Sequence, residues 1–169
     1  MLKGLIKYLL ISSAYLIFCE SYANEMPSGG KVQSGEASIS GYNTNHLIID
    51  QKSQKSIINW DSFSIHKKGI VDFKQPNSQS FSLNRVTGST PSNIAGKLNS
   101  NGKIMLINPN GIAIVPGAVI NTNSFTASTL DIKNKDFLKD NYTFEGNGKS
   151  KNVRNGGKIT IGGGGHAAF

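Results

Sequence analysis

From residue 24 onward, no apolar pattern in this chain runs beyond about five residues before Gly, Asn, Ser or Pro interrupts it. The runs are "ASIS" (37–40), "HLIID" (46–50), "SIINW" (56–60), "IVDF" (70–73), "SFSL" (80–83), "KIMLI" (103–107), "GIAIV" (111–115), "AVI" (118–120), "STLDI" (128–132) and "KITI" (158–161). Rich in Ile, Val, Leu and Phe and bounded by turn formers, each reads as a very short strand. "DIKNKDFLKDNY" (131–142) is the one stretch past the leader with a helical look, and its apolar stripe is weak. The fold class is therefore all-β.

How the strands connect decides the architecture. In "LINPNGIA" (106–113), Pro109 fixes φ and removes a donor, while Asn110 and Gly111 tolerate positive φ, so a tight turn is required. An Asn-Gly pair between apolar runs serves a hairpin or a corner where the strand continues into the next wall of a solenoid. Strand centres recur about every ten residues up to residue 83 and more closely between 104 and 132, over connectors as short as "NPN" and "PG". Sandwiches use longer strands. Small-residue walls such as "INTNSFTAST" (120–129) favour a parallel β-helix over an antiparallel sandwich, with corner Asn, Ser and Thr stacked into hydrogen-bonded ladders. Leu106 and Ile112 are expected in its core. Residues 24–75, with longer connectors and Trp60, read as an N-terminal cap and first coils; 76–169 read as further coils, open at the C-terminal end, as in a fragment of a longer protein.

The first 23 residues carry Lys3 and Lys7, the apolar "YLLISSAYLIF" (8–18) and the small-residue "SYA" (21–23). That is the plan of a secretory signal peptide, with cleavage expected between Ala23 and Asn24. Its apolar stretch is too short to span a bilayer. Cys19, the only cysteine, lies within it, so the mature chain is stabilised without a disulfide. The formal charge of +8 becomes about +7 without the leader, scattered rather than in runs, which suits anionic glycans or lipopolysaccharide and argues against nucleic acid.

Residues 80–132 carry "LNRVTG", "PSNIAGKL", "INPNGI" and "AST" in order, and residues 56–77 carry "INW", "FSI" and "FKQP". Together, over roughly residues 27–145, they closely resemble the N-terminal secretion domain of the filamentous haemagglutinin family, the TpsA exoproteins of two-partner secretion. The resemblance implies a right-handed parallel β-helix with an N-terminal cap. It also implies export from a Gram-negative bacterium, via the periplasm, to the surface or medium. The implied partner is a TpsB outer-membrane transporter whose periplasmic domains bind the unfolded or extended chain. The motif residues are Asn84, Arg85, Asn108, Pro109, Asn110 and Gly111, in transporter recognition or in architecture.

Each has a plain structural reading. Asn108 to Gly111 would shape a corner, Asn84 would cap or bridge turns, and Arg85 would be buried against carbonyls or a carboxylate. Trp60 is a cap-core residue or, less simply, a platform for a sugar ring. Catalysis has little support. His46, His66 and His166 share no metal-ligand spacing, "GGGGH" lacks the Lys-Ser/Thr of a phosphate loop, and Asp50, Asp61, Asp72, Asp131, Asp136 and Asp140 do not cluster. The expectation is a non-enzymatic protein without cofactor, metal or stable membrane insertion. Alternatives are a free-standing adhesin for a host glycan or cell-surface receptor and, further off, a β-helical polysaccharide lyase or hydrolase.

Overall fold

The computed structural model describes residues 25–148 and 151–169, so the leader and the Ala23–Asn24 junction lie outside the described residues. Because turn formers recur so often, the elements are brief. They are β1 (Lys31–Ser34), β2 (Ala37–Ser40), β3 (His46–Gln51), β4 (Lys55–Trp60), β5 (Ile70–Lys74) and β6 (Phe81–Val86). Next come β7 (Ser92–Ile94), β8 (Lys97–Ser100), β9 (Lys103–Ile107), β10 (Ile112–Ile114), β11 (Val119–Thr122) and β12 (Ser124–Ser128). The last are β13 (Asp131–Ile132), α1 (Asn134–Leu138), β14 (Phe144–Glu145), β15 (Val153–Asn155), β16 (Lys158–Ile161) and β17 (Ala167–Ala168).

Pairing between rungs, rather than between chain neighbours, assembles the fold. Sheet I runs β2-β3-β5-β8-β11-β16, sheet II β1-β4-β6-β9-β12-β17 and sheet III β7-β10-β15. The chain visits sheets I, II and III in turn through β5, β6 and β7, then repeats the circuit through β8, β9 and β10 and again through β11, β12 and β15. Strands on successive circuits are parallel and in register. This is the expected parallel β-helix, with rungs about 4.8 Å apart. At its N-terminal end β1 lies antiparallel on β4 and β2 antiparallel on β3, which caps the edges of the first coil.

Alternation along each strand sends every second residue inward, and register stacks like on like. Leu47, Val71, Leu98, Ile120 and Ile159 follow one another up sheet I, and Ile65, Ile94 and Ile114 up sheet III. Leu106 and Ile112 are buried in the same core. Each such side chain contributes about 1.5–3 kcal/mol on burial. Polar groups stack too. Gln51 Oε1 accepts from Ser56 Oγ at 2.8 Å and Gln75 Nε2 at 3.2 Å. Outside, Asn121 donates to Asn99 at 3.1 Å and Asn99 to Asp72 at 2.8 Å, so the expected ladders are present.

Sheet II is apolar on both faces. Ile57, Leu83 and Met105 stack in register on its outer side beside Ile107. They are covered by residues 131–145, which lie outside the coils between β12 and β15 and pack Ile132 and Phe137 over them, with Phe144 alongside. Two expectations change here. The helical look of 131–142 reduces to the five residues of α1. "STLDI" is not a wall strand: β12 ends at Ser128, in register with Ile107, and the chain then turns away with Leu130 exposed. Its Ile132 belongs to the cover, so the apolar signal was real but the sheet was another.

Candidate functional site

The corner at residues 108–111 is built from its own sequence. Gly111 N–H donates to Asn108 O at 3.0 Å, closing a turn with Pro109 and Asn110 at its centre. Asn108 Oδ1 accepts from the Asn110 backbone N–H at 3.0 Å and its Nδ2 at 2.9 Å. Positive φ falls on Gly111 alone, at 110°. Asn110 is outside the left-handed region, contrary to the sequence expectation, because a type I turn asks for Pro at its second position and Gly at its fourth.

The corner also bolts neighbouring coils together. Asn108 is fully buried; its Nδ2 donates to Thr90 O at 3.0 Å and Ser92 Oγ at 2.9 Å. Asn110 Nδ2 donates to Gly88 O at 2.8 Å. On the other side Asn108 N–H reaches Ser128 O, and Lys151 N–H reaches Pro109 O. The residues gripped below are the "TGSTPS" that follows "LNRV". Asn84 and Arg85 lie opposite Leu106 and Ile107 in the register of β6 with β9. The structure therefore brings both motifs together on adjacent rungs.

Their side chains point to opposite sides of sheet II. Asn84, buried in mid-strand rather than at a turn, accepts from Trp60 Nε1 at 3.0 Å and donates to Ser82 Oγ at 3.1 Å. A turn role is thereby corrected: an interior indole N–H needs an acceptor, and Asn84 supplies it. Trp60 is itself fully buried, edge-on to Phe63, which leaves no ring face for a sugar. Arg85 points outward into the cover. It donates to Asp131 Oδ1 at 2.7 Å, Ile132 O at 2.6 Å, Asn134 Oδ1 at 2.9 Å and Asn59 Oδ1 at 3.3 Å. With its side chain 13% exposed, it latches the start of the cover.

Lys55 forms a second latch, unforeseen from the sequence because its partners lie more than eighty residues away. Its Nζ donates to Phe137 O at 3.1 Å and Leu138 O at 3.0 Å and pairs with Asp140 at 2.7 Å. The Lys55 and Tyr142 hydrogen bonds to Asp140 hold its carboxyl below the ordinary carboxylate range. Partial burial, and then that carboxylate, push the Tyr142 hydroxyl up. A depressed carboxyl stabilises the fold above its ordinary range, and that contribution fades as pH falls through the folded value. Acidification should thus loosen this end of the cover by roughly a few tenths of a kcal/mol, given the exposure of the pair. Melting curves between neutral and acid pH check it: Asp140→Asn should remove that part of the pH dependence.

Among the described residues no group of three or more His, Cys, Asp or Glu is placed to hold a metal ion, and no helix is long and apolar enough to cross a membrane. The stacked motifs and the capped helix match a known pattern: the model of the TPS secretion domain covers residues 23–169. The chain belongs to the TPS secretion domain family. It is 41% identical to the HMW1 secretion domain from Haemophilus influenzae in a crystal structure, with a TM-score of 0.76 over 83% of this chain and 38% of that one. It is also 38% and 36% identical, each over 148 residues, to two heme/hemopexin-binding proteins of Haemophilus influenzae. Those matches cover 88% and 85% of this chain but span 16% of each relative's length. The chain is thus the secretion domain of a TpsA-type exoprotein, a family exported through the outer membrane.

Proposed function

We propose that this secretion domain is read by the periplasmic domains of a TpsB transporter as an extended chain, before the β-helix exists. The supporting observation is the burial of Asn108 and Asn84, whose polar side-chain atoms are engaged within the fold. In the folded domain they offer a partner nothing; in an extended chain they are accessible. The motif residues then act twice, as an address in the chain and as bolts in the product. The expected route runs through the periplasm after cleavage between Ala23 and Asn24, and N-terminal sequencing of exported material should begin at Asn24.

The decisive experiment presents the same chain to the isolated periplasmic domains of the cognate transporter in two forms, freshly diluted from denaturant and prefolded. Capture of the first and rejection of the second is expected. Equal capture of both would sink the reading, since it would place the address on the folded surface. Adhesion to a host surface is the proposed purpose of the full-length protein, and binding of heme or hemopexin, named for the Haemophilus relatives, is the alternative ligand class. The domain itself is proposed to be non-enzymatic.

A further inference from the structure

Two of the chain's four Asn-Gly pairs stand at corners of the coils: Asn101–Gly102 between β8 and β9, and Asn110–Gly111 between β9 and β10. Such a pair is open to self-reaction in a free chain, because glycine has no side chain to hinder its amide nitrogen. That nitrogen, on giving up its proton, uses the electron pair to bond the asparagine Cγ. The Cγ–Nδ2 bond breaks, and Nδ2 leaves with the proton as ammonia. Water then opens the five-membered succinimide at either carbonyl, giving aspartate or isoaspartate, the latter with an extra methylene in the main chain.

Folding engages both reacting groups at each corner. Gly111 N–H donates to Asn108 O at 3.0 Å, while Asn110 Nδ2 donates to Gly88 O at 2.8 Å and Asn108 Oδ1 at 2.9 Å. Gly102 N–H donates to Ser100 Oγ at 3.0 Å, while Asn101 Nδ2 donates to Gln75 O and its Oδ1 accepts from Gln75 N–H, both at 2.7 Å. Gly102 and Gly111 are buried, although Asn101 itself is exposed. Attack therefore requires the asparagine to leave the rung below, held at Gln75 or Gly88, and the glycine to give up its own bond. That is an opening of the corner.

The products do not fit back. An aspartate oxygen in place of Nδ2 would face Gln75 O at one corner and Gly88 O at the other, acceptor against acceptor. Isoaspartate would displace the glycine that follows it. Gly102 lies so close to the rung below that a Cβ on it would stand 2.7 Å from Ser80 O.

We propose that Asn101 and Asn110 are deamidation sites of the extended chain that the folded coils shut, so that delay before folding is recorded covalently at two corners and impairs their closure. The inference concerns the chain alone and stands whether or not a transporter reads it extended.

The test incubates the chain at one mildly alkaline pH, folded in buffer and, separately, unfolded in guanidinium chloride, and follows deamidation peptide by peptide by mass spectrometry. Loss of Asn101 and Asn110 should be about tenfold or more slower in the folded chain. The aged unfolded sample is then brought to the unfolding midpoint of the fresh chain and treated briefly with protease, which removes open molecules. Resistant chains should be depleted about threefold or more in deamidation at either position. The inference is overturned if either asparagine is lost as fast from the folded chain, or if deamidated chains survive protease as well as unmodified ones. Asn101→Asp/Asn110→Asp, made directly, separates the two products. A midpoint lowered as far as in aged material assigns the effect to the lost donors, a smaller shift assigns it to isoaspartate, and both support the sites.

Discussion

Leu106→Asp is expected to leave the domain unfolded. Leu106 is fully buried in β9, between Asn84 on the rung below and Ala127 on the rung above. A carboxylate at that point would meet the Asn84 rung and the aliphatic interior, and a strand fixed on both edges cannot rotate it outward without also turning Met105 and Ile107 to the wrong side. The lost burial and the unpaired charge together cost several kcal/mol or more, against a stability of about 5–15 kcal/mol for a typical domain. Circular dichroism and urea titration of the purified variant measure this. A two-state melt near that of the parent would mean that the phase of β9 is misassigned.

Asn108→Asp, although the smallest change available at that corner, is expected to destabilise nearly as much. It swaps the Nδ2 that serves Thr90 O and Ser92 Oγ for an oxygen that repels the carbonyl. The estimated loss is about 3 kcal/mol, combining a broken buried hydrogen bond with a desolvated charge. Burial and the facing carbonyl raise the folded-state pKa of the substituted carboxyl, so the variant keeps its stability at low pH, where the protonated group can donate again. It loses stability as pH rises through the acid range. A deficit that narrows on acidification identifies the hydrogen bond to Thr90 as its source; a deficit independent of pH would point to packing instead. Asn110→Ala, at the partly exposed neighbour, should cost only about 1 kcal/mol. Export measured for either variant has to be compared at matched stability.

Much of this organisation is legible in the residues. "ASIS", "KIMLI" and "KITI" coincide with β2, β9 and β16, because each is an apolar alternation or run closed by turn formers. The strands of sheet III are the least legible, and "GIAIV" (111–115) extends past both ends of β10. β7 and β10 have three residues apiece, and a single inward Ile94 or a pair such as Ile112 and Ile114 is too little pattern to read. The cover is hard to read for a different reason. "SIINW" and "KIMLI" place apolar residues on both faces of a strand, which in a parallel sheet means that both faces are buried. That signal announced a second layer over sheet II, while its supplier, with Ile132 and Phe137 far along the chain, has no local feature tying it there. The family motifs gave the right neighbourhood for Asn84 and Arg85, but only the register decides that one faces the core and the other the cover.

The cover changes what kind of thermodynamic object the domain is. A plain solenoid holds each rung only by its neighbours, so it can fray from an end one rung at a time. Here residues 131–145 touch β4 through Lys55 and Ile57, β6 through Leu83 and Arg85, and β9 through Met105 and Ile107. None of these strands can separate from its neighbours without also releasing the shared layer. They become a single opening unit, and amide exchange in sheet II should be slower than in sheet III, over which no such layer lies among the described residues. The cover also follows all of those strands in sequence, so a chain that folds from its N-terminus cannot complete this unit until residue 145 is available. Before that point β4, β6 and β9 lack their shared layer; once it is seated, they are expected to open as one unit.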